Sequence, residues 1–479
     1  MERGFLLSER DDNRVNRRLT WSVFGEEAMK FGYIAGPMVA VTLSQYLLQV
    51  ISVMMVGHLG ELALSSAAIA ISISSVTGFS LIMGMASALE TLCGQAYGAQ
   101  QYKKFGTQTY TAVFSLLLVC IPLSIIWKNT GPLLILIGQN PSISHEAGKF
   151  ITWLIPAIFA YAALQPLVRF FQMQSMLWPM LLSSIAALLL HIPLCWVLVY
   201  KTTLANIGAA ISMGVTMWLN AIFLFLYMRY SPSCEKTRAP ITMEVVHGMK
   251  QFFSYAIPSA VMICLEWWSY ECIILLSGLL PNPELETSVL SVCLNTIATL
   301  YSVAFGFGAG ISTRVSNELG AGNPRGARVA VYVVLILAII ETSIVSTAVF
   351  VARRVFGYIF TNEKEVVDYV TKMAPLLCLN IIMDSLQGTL SGVARGVGWQ
   401  HLGAYINLAA FYLGGIPVGA FLGFYTLLRG VGLWIGILVG ALIQLVLLTT
   451  VTISTNYEKQ ATKVRERLFE EEPSLERLM

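Results

Sequence analysis

The sequence predicts an all-α polytopic membrane protein, with twelve transmembrane helices arranged as two parallel six-helix lobes related by a pseudo-two-fold axis. Three observations carry that prediction. The 479 residues are 56% apolar and only 12% Asp, Glu, Lys or Arg, about half the charged share of a soluble protein. The apolar residues run in blocks of about 20 with few charges inside them, the length that crosses a bilayer as helix. The second half of the chain also echoes the first at a nearly constant offset, which marks an internal duplication.

Along the chain, a window of about 19 residues places spans near 33–55, 65–89, 107–127, 148–170, 176–200 and 206–229, then near 252–280, 289–313, 328–352, 368–392, 401–424 and 429–453. Each is expected to be helical, because an isolated span in lipid must satisfy its own backbone and the segments are about twice the length of barrel strands. The expected organisation is an N-tail over 1–32, an N-lobe over 33–229, a linker over 230–251, a C-lobe over 252–453 and a C-tail over 454–479. If the N-terminus is cytosolic, the inside segments hold 22 Lys and Arg and the outside loops 8. Positive residues stay on the cytosolic side, so both tails and the linker are expected there. The mixed charges of the C-tail, EKQATKVRERLFEEEP, read as a short solvated helix or a disordered tail. No short apolar stretch with a small-residue cleavage site precedes the first span, so no cleavable signal peptide is expected. Eight cysteines, none in a CxxC pair, read as small packing residues.

The repeat is visible in single residues. Pro37 matches Pro258 at 221, Gly98-Ala99 matches Gly320-Ala321 at 222, Gln165 matches Gln387 at 222, Ile192-Pro193 matches Ile416-Pro417 at 224, and Gly208 matches Gly432 at 224. A unit of six spans is even, so both copies sit in the membrane the same way up. Two parallel lobes then flank a cavity and can rock to expose it to either side. Other classes lack their signatures. The net charge of +3 is small and scattered, which argues against a nucleic-acid partner. No filter-like repeat suggests a channel. There is no HExxH, GxSxG or Walker A run, and the five histidines are far apart, so neither an enzyme, a metal site nor a cofactor is predicted.

Ionisable residues at membrane depth default to functional hypotheses. The internal candidates are Glu266 and Glu271 in the seventh span, Glu341 in the ninth and Asp384 in the tenth; Glu90, Arg169 and Arg314 lie near predicted span ends, where snorkelling accounts for them. Asn380, Asp384, Gln387 and Ser391 are spaced four, three and four, a polar stripe on one helix face. Glu266 stands near the middle of its span beside Trp267 and Trp268 and about a turn before Tyr270. A carboxyl in such surroundings is disfavoured in its charged form and can exchange a proton for a cation. Glu271 lies roughly 140° further round the helix, and Glu341 reads as structural. Asn295, Thr299 and Ser302 make a further polar face, and the N-lobe offers Gln45 and Gln49, spaced by four, with no acid in its first span. Proline at 37, 258 and 375 permits bends or breaks, expected in particular at Pro37 or Pro258.

The runs CGQAYGA at Cys93–Ala99, VSNELGAGNP at Val315–Pro324 and GVGWQ at Gly396–Gln400 resemble the plant branch of the multidrug and toxic compound extrusion (MATE) family, along the whole chain. The resemblance implies a secondary exporter of organic cations, xenobiotics or secondary metabolites in exchange for protons or sodium. Its partners would be a small-molecule substrate, protons and membrane lipid, with a monomer in the plasma or vacuolar membrane. It further implies coupling carboxylates at Glu266 and Asp384, with Glu271 completing an acidic pair known in animal members; from the polar stripes and amides themselves, a substrate cavity is expected to be built from Gln45, Gln49, Tyr270, Asn295, Asn380 and Gln387. Many prokaryotic members carry an Asp in the first span; Gln45 and Gln49 stand there instead, which favours proton coupling through the C-lobe. The alternatives are an exporter of organic anions or glycosylated metabolites, or a lipid-linked flippase of the same superfamily.

Overall fold

The computed structural model describes residues 20–359 and 363–469. Most of the expected N-tail, with Arg3 to Arg18, and the last ten residues of the C-tail lie outside them. Among the described residues, twelve helices are long and apolar enough to cross a membrane: α1 (Trp21–Gly57), α2 (Glu61–Gly98), α3 (Tyr102–Lys128), α4 (Pro141–Met173), α5 (Leu177–Tyr200), α6 (Asn206–Tyr230), α7 (Met249–Ser277), α8 (Pro283–Gly320), α9 (Pro324–Ile359), α10 (Lys364–Val397), α11 (Gln400–Tyr425) and α12 (Arg429–Ser454). A last helix, α13, spans Tyr457–Phe469.

The ends follow local chemistry. Asn140 and Asn323 cap α4 and α9, their side chains accepting from the Ser142 and Gly326 amides, with proline as the first helical residue in each. Gly398 ends α10 with φ +103°, a left-handed closure that favours glycine. The first span begins at Trp21 rather than near 33, because charged residues lower its hydropathy without ending the helix: Lys30 pairs with Glu26 at 2.8 Å, and Glu27 is covered by Arg314 of α8 at 2.7 Å. Neither Pro37 nor Pro258 breaks its span, since the helix runs on through both. The interruptions fall instead in α2, as a π-helical segment at Ser75–Phe79 and a turn at Ser87, and in α11, as a π-helical segment at Leu408–Gly415. Such widened turns are frequent at functional sites.

The duplication reappears in the packing. Within the N-lobe α1 packs on α5, α2 and α3 on α4, and α4 and α5 on α6; within the C-lobe α7 packs on α11, α8 and α9 on α10, and α10 and α11 on α12. Between the lobes α1 meets α8 and α7 meets α2. Exchanging the halves turns one contact into the other, as a two-fold axis along the membrane normal requires.

The lobes meet along a seam running from mid-helix to the end of the bundle that carries both described termini. Trp268 Nε1 donates to the Val76 carbonyl at 3.1 Å, and Ser80 Oγ faces Cys264 Sγ at 3.6 Å. Toward the end, a Cβ on Gly98 would overlap the Asn317 carbonyl, and one on Gly320 would overlap the Gln95 carbonyl. These two glycines are repeat partners, so the duplicated Gly-Ala motif marks where α2 and α8 cross backbone to backbone. Gln95 Nε2 donates to the Gly396 and Val397 carbonyls at 2.9 and 3.2 Å, and Asn317 Nδ2 to the Met173 carbonyl at 3.1 Å.

Two expectations are corrected at this seam. Glu90 and Arg169 do not snorkel: both are buried to within 1% exposure. Glu90 takes the Arg395 guanidinium at 2.8 Å and Arg169 at 3.4 Å, because three helices of two lobes converge there and exclude water. Arg314 reaches Glu27 and Glu318, each at 2.7 Å. The C-tail reading also changes. α13 buries Tyr457, Val464 and Leu468 against α8 and α9, and its Arg467 hydrogen-bonds both Gln95 of the N-lobe and Tyr255 of the C-lobe. The cysteines are all free, and every one except the half-buried Cys272 is buried. In the linker, burial pushes the Cys234 thiol up to about 11, which keeps it an inert packing group.

Candidate functional site

Six of the residues singled out in the sequence meet inside the C-lobe. Along α10 the stripe is as its spacing requires: Asn380 Nδ2 donates to Asp384 Oδ2 at 2.7 Å, and Gln387 Nε2 to Ser391 Oγ at 3.1 Å. From α7, Tyr270 reaches across with its hydroxyl 3.1 Å from both Asp384 oxygens and 3.1 Å from Asn380 Nδ2. Four residues earlier on α7, and so on the same face, Glu266 Oε2 accepts from Gln387 Nε2 at 2.7 Å. A small cavity lies beside these groups, lined by Glu266, Trp267, Tyr270, Tyr301 and Asp384 with apolar residues of α8. Trp267 and Tyr301 wall it edge to face, 4.9 Å between centroids, a geometry aromatic pairs favour.

The chemistry of the partners separates the carboxylates into two kinds. Glu27 and Glu90 each hold an arginine. Among the described residues, Glu266 and Asp384 make no ion pair; their partners are amides and a phenol. Both are half-buried, and a carboxylate largely withdrawn from water without a cation is costly and is relieved by taking up a proton or a cation. The cavity therefore offers two acids and an aromatic wall to such a species.

Three of the sequence candidates stand apart. Glu271 is half-buried, on another face of α7, and takes no part in this hydrogen-bond network. Asn295 is exposed and does not line the cavity; Leu294 and Ala298 of α8 do. Gln49 is half-buried on the N-lobe's α1. Gln45 has a partner, accepting from Gln165 Nε2 at 3.2 Å. Gln165 is the repeat partner of Gln387, and Gln45 precedes Glu266 by 221 residues, so Gln165···Gln45 is the N-lobe copy of Gln387···Glu266 with an amide in place of the acid.

Sequence reasoning missed two residues behind Glu266. Gln444 Nε2 lies 3.5 Å from Glu266 Oε2 and donates to Asn407 Oδ1 at 2.7 Å, while Asn407 Nδ2 donates to the Met262 carbonyl at 2.7 Å. Asn407 stands immediately before the π-helical segment of α11. The available signal was a lone amide, Gln444, in the middle of the otherwise apolar α12.

The MatE family model matches residues 37–197 and 258–421, one stretch in each lobe. The chain belongs to the MATE family. This MATE protein is 56% identical to Protein DETOXIFICATION 12 of Arabidopsis thaliana, over 98% of the chain and 97% of that protein. It is 58% identical to Protein DETOXIFICATION 14 of the same plant, over 98% and 96%. Among solved structures it is similar to that of the eukaryotic MATE transporter AtDTX14, with TM-score 0.91 and 59% identity, covering 93% of this chain and all of that one. It shares the fold of an outward-facing multidrug resistance MATE transporter at TM-score 0.78 and 14% identity, over 91% of this chain and 96% of that one. MATE proteins are transporters, not enzymes, so this is an integral multi-pass membrane protein that moves small molecules across a membrane.

Proposed function

We propose that this MATE protein is a proton-coupled antiporter that exports organic cations, xenobiotics or secondary metabolites from the cytosol by alternating access. The observation that carries this reading is the pair Glu266 and Asp384, half-buried beside one cavity and hydrogen-bonded by neutral donors alone. With no resident cation to neutralise them, a proton and a cationic substrate are alternative occupants of the same charge deficit, and exchange follows from their competition. Glu271, off the network, has no role in this scheme. If the terminus-bearing end lies in the cytosol, as the Lys and Arg count predicts, the seam is a closed inner gate. The cavity between the lobes then opens outward, where protons enter and substrate leaves. Neutral Gln45 and Gln49 make the N-lobe a wall for substrate without a proton site. The test is efflux of a fluorescent organic cation from cells or sealed vesicles, with and without an imposed pH gradient. Acidification on the receiving side is expected to accelerate efflux; rates indifferent to the gradient, and responsive to sodium, would overturn proton coupling.

A further inference from the structure

A carboxyl that the sequence reads as structural lies beside this site. Glu341 of α9 is half-buried, and its Oε2 accepts from Ser385 Oγ at 2.7 Å. Ser385 follows Asp384 in the chain and is 4% exposed. A second cavity, between α8, α9 and α10, is lined by Tyr301, Glu341, Val345, Asp384 and Ser385 among others. It has room for a water molecule. Tyr301 and Asp384 also line the cavity that contains Glu266. Asp384 is thus a common wall of two cavities, with one further acid in each, Glu266 in one and Glu341 in the other.

The other groups around Glu341 are few. From α10 it faces Asp384 and Ser385, and from α8 the phenol of Tyr301. Among the described residues, α1, which also packs on α9, brings no ionisable side chain into hydrogen-bond or ion-pair reach of it. α13 meets α9 through Tyr457 and Arg328, a full thirteen positions before Glu341 on α9. Among the described residues no cation pairs with Glu341, and anchoring one serine hydroxyl does not require an acid, since a glutamine oxygen accepts equally well.

We propose that Glu341 is a third proton-binding carboxyl of the C-lobe, exchanging protons with Asp384 through the cavity they share and giving Asp384 a route that bypasses the cavity lined by Glu266. In the transfer, the neutral Glu341 carboxyl gives its O–H proton to a water in the cavity, and that water passes one of its own protons to the Asp384 carboxylate. Glu341 is left as the carboxylate, the water is restored, and net charge is unchanged.

This inference rests on the proton-coupling reading, and its test is chosen to be separable from it. In the full-length protein purified in detergent, the protonated-carboxyl C=O stretch is followed by infrared difference spectroscopy as pH is varied. The Asp384 component is identified by its loss in Asp384→Asn. Glu341→Gln, which keeps size and the Ser385 hydrogen bond, is expected to remove a further component and to displace the Asp384 titration by about one pH unit, the scale of coupling between neighbouring carboxyls. Glu341→Asp is expected to restore the missing component, and Ser385→Ala to move it without abolishing it. An unchanged spectrum and an unchanged Asp384 titration in Glu341→Gln would overturn the proposal. Failure of the coupling reading is seen elsewhere, as undiminished gradient-driven efflux in Glu266→Gln and Asp384→Asn.

Discussion

Glu266 and Gln45 occupy repeat-equivalent places, and each is joined to a glutamine of the fourth helix in its lobe. The difference is one titratable atom group, so their substitutions should separate two properties. Glu266→Gln and Asp384→Asn keep shape and hydrogen bonding and are expected to reduce gradient-driven efflux by about tenfold or more at equal surface expression, since the differential affinity that drives the exchange is lost. Gln45→Ala is expected to change apparent substrate affinity and leave the pH profile of transport in place; a displaced profile with unaltered affinity would move the coupling site to the N-lobe. The stripe Asn380–Asp384–Gln387–Ser391 was legible in the sequence because helical spacing alone puts it on one face. The place of Glu341 beside that stripe, and Gln444 and Asn407 altogether, were not, because nothing local tells that a residue of α9, α11 or α12 faces a stripe on α10 or an acid on α7.

At the scale of helices, hydropathy located all twelve spans, and its errors have common causes. It began α1 late and misread α13 because it averages over charges that the fold pairs or turns outward. The pattern Tyr457, Ala461, Val464, Leu468, spaced four, three and four, is an amphipathic stripe, and these residues face α8 and α9. The proline rule failed as a break signal because a long, well-packed helix tolerates the loss of one backbone hydrogen bond at Pro37 or Pro258. The π-helical segments carry no comparable signature in sequence. The Gly98 and Gly320 crossings give a direct test. A side chain at either must push α2 and α8 apart, a cost of about 1–3 kcal/mol for overpacking, concentrated on the state in which the seam is closed. Gly98→Val and Gly320→Val are expected to insert normally, lose transport and fail to close the seam, measured as increased labelling of residues along it.

For the whole molecule, two lobes joined at one end alternate only if that joint can open, so its strength must be moderate in sum though individual ties are strong. The Glu90 triad is the clearest such tie. Removing one partner of a buried ion pair costs about 3–5 kcal/mol because the remaining charge is stranded, and here two guanidiniums, Arg169 and Arg395, would be left together. Glu90→Ala is expected to lower the thermal unfolding midpoint in detergent and to abolish transport, whereas Arg467→Ala, removing only the tie from α13 to Gln95 and Tyr255, is expected to shift the balance of states with little loss of stability. The face-to-face approach of Ser80 and Cys264 across the lobes has a different kind of consequence. One thiol is already in place, so Ser80→Cys alone would complete a covalent bolt. Mild oxidant should arrest such a variant with its seam shut, and reductant should release it, giving the transport cycle an external clock that a fluorescent or spectroscopic readout can follow from a single synchronised start.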